Sequence, residues 1–101
     1  MTIDKKINGS RLDIKLSGRL DTTTAPQLES EVRSSVEGIT EVYFDFSELE
    51  YISSAGLRVL LSTQKIMNKQ GKMVINNVCD DILEVFEITG FIDILTIANG
   101  S

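Results

Sequence analysis

Two adjacent hydroxyls, Ser53 and Ser54, are the side chains of this 101-residue chain best placed to do chemistry. They follow an apolar strand and an expected short acidic loop, residues 47–51, and they precede a run of apolar residues at helical spacing. The start of a helix carries unpaired N–H groups and a partial positive charge, so a phosphoryl group is tolerated there. The pattern predicts either a plain helix cap or a serine that is switched by phosphorylation.

The composition argues against most enzyme chemistry. The chain has no histidine, which removes Ser-His-Asp and Cys-His catalysis and most zinc sites. It contains neither a P-loop nor a Gly-x-Ser-x-Gly elbow. The lone cysteine, Cys79, allows no internal disulfide and is expected to be a buried or half-buried structural thiol. We therefore predict that the protein is not an enzyme.

Four acidic residues near predicted strand ends are candidate ligands for a divalent cation: Asp21, Asp45, Glu48 and Glu50. Acidic residues in such loops are usually solvated surface, so we predict neither a metal nor a cofactor. The net charge of −5 disfavours nucleic acid as a partner, because the phosphate backbone rewards a basic face. No apolar run approaches the roughly 20 residues of a membrane span, and no signal region is seen, so a cytoplasmic protein is expected.

The apolar spacing predicts one α/β domain over residues 1–101. Two alternating runs around Asn8-Gly9 indicate an antiparallel hairpin. Helical patterns follow at residues 25–36, about 54–68 and 80–88. A threonine at 22–24 is expected to cap the first helix, and Asp80 or Asp81 is expected to cap the third. Strands are expected at 42–46, buried on both faces, and at 72–76, and residues 91–97 are expected to form a last short strand or a helix followed by a strand. Together these elements predict a mixed sheet of four to five strands, with the hairpin and parallel strands, flanked by about three helices.

The helix that begins near Ser54 has two apolar sides. One side, expected to pack on the sheet, carries Leu57, Leu60, Leu61 and Met67. The other carries Ala55, Val59 and Ile66, which either pack under a neighbouring helix or form an exposed strip that a partner covers. Gly56 is a poor interior helix residue, so its position predicts close approach of another backbone or a partner, or plain packing.

Three segments of the chain carry a pattern that is typical of one family. Residues 45–57, Asp-Phe-Ser-Glu-Leu-Glu-Tyr-Ile-Ser-Ser-Ala-Gly-Leu, resemble the signature of the STAS-domain anti-sigma factor antagonists. Residues 16–21 are similar to its strand-end motif, and residues 85–91 to its C-terminal pattern. The resemblance implies a STAS fold and a phosphoacceptor at Ser54. The family often has aspartate immediately before that serine, where this chain has Ser53.

The resemblance also implies partner switching. The unphosphorylated protein would bind an anti-sigma factor that is a serine kinase and so free a sigma factor, phosphorylation would end the complex, and a PP2C-type phosphatase would reset it. The kinase would bring its own ATP and magnesium, and the protein itself would be a monomer. Taking the resemblance and the helical spacing together, we predict that the partner-binding residues are Asp21, Thr22, Ser53, Ser54, Ala55, Gly56 and Val59. Two alternatives are a constitutive STAS scaffold or subunit in a lipid-transport or signalling assembly, and nucleotide binding at the same loop.

Overall fold

The computed structural model describes residues 1–98, which form a mixed five-stranded sheet and three α-helices. The elements are β1 (Thr2–Asn8), β2 (Arg11–Leu20), α1 (Ala25–Ser35), β3 (Glu41–Ile52), α2 (Ser54–Gln70), β4 (Lys72–Asn76), α3 (Asp80–Thr89) and β5 (Ile97–Ala98). A 3₁₀ turn, Phe91–Asp93, precedes β5. The predicted fold class is confirmed. Within this part of the chain, no helix is both long enough and apolar enough to cross a membrane.

The strands lie in the sheet in the order in which they occur along the chain. β1 and β2 form the predicted hairpin through Gly9, whose φ of 66° suits a tight two-residue turn. β2, β3, β4 and β5 are parallel neighbours joined by the three helices. Because such crossovers are nearly always right-handed, a sheet that grows in one direction has all its helices on one face.

The prediction that β3 is buried on both faces was therefore wrong. Val42, Phe44 and Phe46 are buried under the helices, whereas Tyr43 and Asp45 between them are half-exposed. The opposite side of the sheet, the open face, is polar and carries pairs such as Arg11 with Asp13 at 3.0 Å. An apolar run in the sequence had suggested a second helical layer that the topology does not provide.

β3 is also much longer than predicted, because it continues through the acidic stretch to Ile52. Two register shifts against β2 each place an extra residue on β3, the first between Asp45 and Glu48 and the second between Leu49 and Tyr51. Such β-bulges break the alternation of polar and apolar residues, so Phe46, Leu49 and Ile52 are all buried at a spacing of three. The segment at 47–51 is strand, and the expected acidic loop is absent.

The predicted caps also need correction. Thr24 is the N-cap of α1, but its hydroxyl donates to the carbonyl of Arg19 at 2.8 Å instead of capping the helix. Cys79 is the N-cap of α3, and Asp80 and Asp81 lie in the first turn, where their charges suit the helix dipole. The thiol of Cys79 is exposed, so the expectation of a buried structural cysteine was wrong.

Candidate functional site

The carboxyl ends of β2 and β3 meet beside the start of α2. Leu20 pairs with Ile52, and the backbone N–H of Ser53 donates to the carbonyl of Leu20 at 2.9 Å. The turn that follows β2, residues 21–24, therefore lies next to the two serines. We call Asp21, Thr22, Thr23, Ser53 and Ser54 the serine rim, since the structure brings these residues to one edge of the sheet.

The two serines of the rim have different surroundings. Ser53 is the N-cap of α2, with φ −99° and ψ 175°, and its half-buried side chain accepts a 3.4 Å hydrogen bond from the N–H of Gly56. Ser54 is the first residue of the helix and is exposed. Within residues 1–98 the hydroxyl of Ser54 makes no hydrogen bond. One hydroxyl is thus used by the fold, and the other is available to a partner.

Asp21 holds the turn that carries Thr22. Its carboxylate accepts from the backbone N–H groups of Thr23 at 3.0 Å and Thr24 at 3.1 Å. The N–H of Thr24 lowers the pKa of Asp21 most. Burial opposes the shift, and the N–H of Thr23, the hydroxyl of Thr24 and the charge of Arg19 add to it. Asp21 thus orders the turn as an anion, while Thr22 and Thr23 remain exposed.

Arg19 and Tyr51 form a second feature of this edge, which the sequence analysis missed. The guanidinium carbon of Arg19 lies 4.2 Å from the centre of the Tyr51 ring, and its Nε lies 3.9 Å from Asp21 Oδ2. The Tyr51 side chain is 40% exposed. Cation–π stacking at the surface fixes an aromatic ring beside the rim. The signal that could have found this pair is a tyrosine inside the signature segment, two residues before Ser53.

Three of the predicted partner-binding residues are buried or half-buried. Gly56 is buried, and a Cβ there would lie 2.7 Å from Leu20 Cγ and 2.9 Å from Ile52 Cγ1, so this is a packing glycine. Val59 is only 4% exposed, and Ala55 is half-buried. The exposed strip expected at Val59 is therefore not formed, because Val59 is buried in the hydrophobic core.

The acidic residues considered as cation ligands are engaged or dispersed. Asp45 accepts from the N–H of Ser47 at 2.9 Å and from Asn77 at 3.2 Å, and Glu48 pairs with Lys15 at 2.9 Å. Burial raises the pKa of Asp45, but these hydrogen bonds and the charge of Lys15 outweigh it, so the pKa is lowered overall. Over residues 1–98, no group of three or more possible ligands is arranged to hold a metal ion.

Comparison with known proteins gives the class of the fold and then its family. Residues 2–100 match the STAS domain. BtrV of Bordetella bronchiseptica, which carries the name of an anti-sigma factor antagonist, is 41% identical over 101 residues, covering 98% of this chain and 85% of that protein. The anti-sigma-B factor antagonist of Bacillus subtilis is 27% identical over 99 residues, covering 97% and 91%.

Solved structures agree on the fold. SpoIIAA, an anti-sigma factor antagonist, superposes in its unphosphorylated form with a TM-score of 0.79 at 15% identity, covering 99% of this chain and 90% of that one. The phosphorylated form of SpoIIAA, from Bacillus, gives a TM-score of 0.80 at 16% identity, covering 99% and 92%. The chain belongs to the STAS-domain family of anti-sigma factor antagonists.

Proposed function

We propose that this chain is a phosphorylation-controlled binding module that works as a monomer in the cytoplasm. Its unphosphorylated form binds an anti-sigma factor that is also a serine kinase, and this releases a sigma factor. Phosphorylation of Ser54 ends the complex, and a PP2C-type phosphatase restores the binding form. The observation that carries the proposal is the exposed hydroxyl of Ser54 at the first residue of α2, which makes no hydrogen bond to any other residue among positions 1–98.

The choice of Ser54 over Ser53 rests on their surroundings. A kinase must place the hydroxyl in its own active site, which requires an accessible side chain. The side chain of Ser53 is half-buried and accepts the hydrogen bond from Gly56, so its modification would remove the cap of α2. Modification of Ser54 leaves that cap in place. The fold therefore favours Ser54 as the acceptor.

The physical basis of the switch is local charge. A phosphoryl group adds about −1.5 to −2 charges and three acceptor oxygens at neutral pH. The N–H groups of the first turn of α2 and the positive end of its dipole can hold these oxygens without unfolding the domain. At a fitted interface over the serine rim, the same group is sterically excluded and costly to desolvate. A coupling of about 3–4 kcal/mol would weaken binding several-hundred-fold.

The relatives support this mechanism. Two of them carry the name of anti-sigma factor antagonist, and SpoIIAA is known in both an unphosphorylated and a phosphorylated form. The fold of this chain is similar to both forms. That similarity supports a switch that acts through surface charge with no large change of backbone.

The test uses the purified serine-kinase anti-sigma factor encoded in the same genome. We expect Ser54→Ala to bind it as the unmodified protein does and to take up no phosphate in the presence of ATP. Ser54→Glu should bind much more weakly, whereas the control Ser30→Glu, which adds the same charge at an exposed position of α1, should bind normally. Binding constants come from isothermal titration, and phosphate incorporation from mass spectrometry.

Two outcomes would contradict the proposal. Phosphate uptake by Ser54→Ala would place the acceptor elsewhere. Equal binding by the unmodified protein, Ser54→Glu and Ser30→Glu, with no phosphate on any of them, would instead indicate a constitutive scaffold.

A further inference from the structure

The solvent side of α2 carries a row of cations that the fold leaves unpaired. The chain has ten lysine and arginine residues, and six of them form ion pairs with carboxylates. Within residues 1–98, the four without such a pair are Lys6, Arg58, Lys65 and Lys69. Three of these four lie on α2, which contains no acidic residue. We call Arg58, Lys65 and Lys69 the basic face.

The basic face is continuous with the serine rim. At 100° per residue, positions 58, 65 and 69 fall within about 60° of the direction in which Ser54 points from the helix. All of these residues are exposed. From Arg58 to Lys69 the row runs about 16 Å along the axis, at 1.5 Å per residue. A partner that covers Ser54 would thus meet the row if it extends along the helix.

A groove beside the basic face gives it an apolar floor. The groove, about 410 Å³ in volume, lies between α1 and α2 and is lined by all three residues of the basic face, with the half-buried Leu61 and Ile66. Arg33 of α1 lies on its other side and pairs with Glu29 at 3.0 Å. An apolar floor edged by cations fits an amphipathic segment that carries carboxylates.

We propose that the basic face of α2 binds an acidic segment of the anti-sigma factor. This inference rests on the proposed function and specifies the chemistry of its partner. The protein carries a net charge of −5, so an extended acidic partner would be repelled by most of the surface and attracted only along this row. A nucleic acid has charge along its entire length and would meet the same repulsion around a row of only three cations.

The basic face also has a place in the switch. Ser54 and Arg58 are four residues apart on one helix, a spacing at which side chains of opposite charge interact. A phosphoryl group on Ser54 therefore competes with the acidic segment for Arg58, the first cation of the row. Phosphorylation then weakens docking in two ways, by occupying the serine rim and by neutralising the nearest end of the basic face.

The test compares two lysine reversals in the full chain. Lys65→Glu removes a cation from the basic face, and Lys6→Glu removes the unpaired, exposed lysine of β1 with the same change of net charge. Glu at position 65 gains Lys69 four residues on, so α2 should remain folded. At about 50 mM NaCl we expect Lys65→Glu to weaken binding of the purified anti-sigma factor about tenfold. Lys6→Glu should leave it within about twofold.

A measurement at high salt and a variant that only removes the charge test whether the loss of affinity is electrostatic. The difference between the two reversals should largely disappear at about 500 mM NaCl, where the screening length is only a few ångströms. Lys65→Gln, which removes the charge without reversing it, should give about a threefold loss. It also provides a readout if Lys65→Glu fails to fold.

Each remaining outcome overturns the inference. If both reversals bind the anti-sigma factor equally well and Ser54→Glu still binds it weakly, the basic face is not a docking site, and the proposed function stands. No binding of the anti-sigma factor by the unmodified protein removes both. Binding of a labelled DNA duplex that Lys65→Glu abolishes, or a dimer in sedimentation equilibrium that it dissociates, would assign the basic face to nucleic acid or to a second copy of this chain.

Discussion

Replacing the two serines of the rim one at a time should show that Ser53 contributes to stability and that Ser54 is the residue that is phosphorylated. Ser53→Ala removes the hydroxyl that caps α2, and caps of this kind are worth about 0.5–2 kcal/mol. The bond from Gly56 is long, at 3.4 Å, so we expect the lower end of that range. Ser54→Ala removes a hydroxyl with no hydrogen bond among the described residues, at an exposed position where alanine is a good helix former. Its effect should stay within about 0.5 kcal/mol.

Urea unfolding followed by far-UV circular dichroism measures the difference. We expect Ser53→Ala to lower the unfolding free energy by about 0.5–1 kcal/mol at unchanged m-value, equivalent to about 4 °C in Tm for a domain of this size. Ser53→Ala should still be phosphorylated, and Ser54→Ala should not. If Ser54→Ala costs as much stability as Ser53→Ala, or if only Ser53→Ala loses phosphorylation, the assignment of the two hydroxyls is wrong.

Two further predictions concern the core and the acid limb of stability. Val59→Ala should lower the unfolding free energy by about 2 kcal/mol, because it leaves a cavity at a buried site. The affinity for the anti-sigma factor should stay unchanged. A loss of affinity without a loss of stability would show that Val59 contacts the partner. Asp21 has a lowered pKa in the folded state, so its contribution is present above its unfolded pKa of about 3.9 and is lost as pH falls through the lower folded value. Acid titrations of Tm should therefore show a steeper decline for the native protein than for Asp21→Asn, and parallel curves would exclude this role.

Local signals in the sequence predicted much of the fold. The hairpin follows from alternation around Asn8-Gly9, and β4 has the bounds that were predicted for it from its short apolar run. Gly90 closes α3 with a φ of 81°, as a glycine after a helix often does. In each case the turn residue and the apolar period act within a few positions. Such signals are readable from one sequence.

The errors came from features that depend on distant parts of the chain. Helical spacing showed that Val59 is apolar and on a defined side of α2, but it could not show that this side is buried in the folded domain. The apolar run in β3 could not show that the topology leaves one sheet face bare. The resemblance implied Ser54 as the phosphoacceptor, and this stays a prediction. The sequence could not show that the Ser53 side chain caps α2 while Ser54 is exposed, because that difference depends on the backbone at the start of the helix.

The two bulges of β3 mark the positions at which this strand can change its length. Each bulge places two residues of β3 opposite one residue of β2, so Phe46, Leu49 and Ile52 all face the core although three positions separate them. Deleting Ser47 would remove the first bulge and leave Leu49 and Ile52 facing the core in the same register with β2. Deleting Tyr43 from the regularly paired part of the strand would instead turn its neighbours to the opposite face. Single-residue insertions and deletions should accordingly be tolerated at the bulges and not before them.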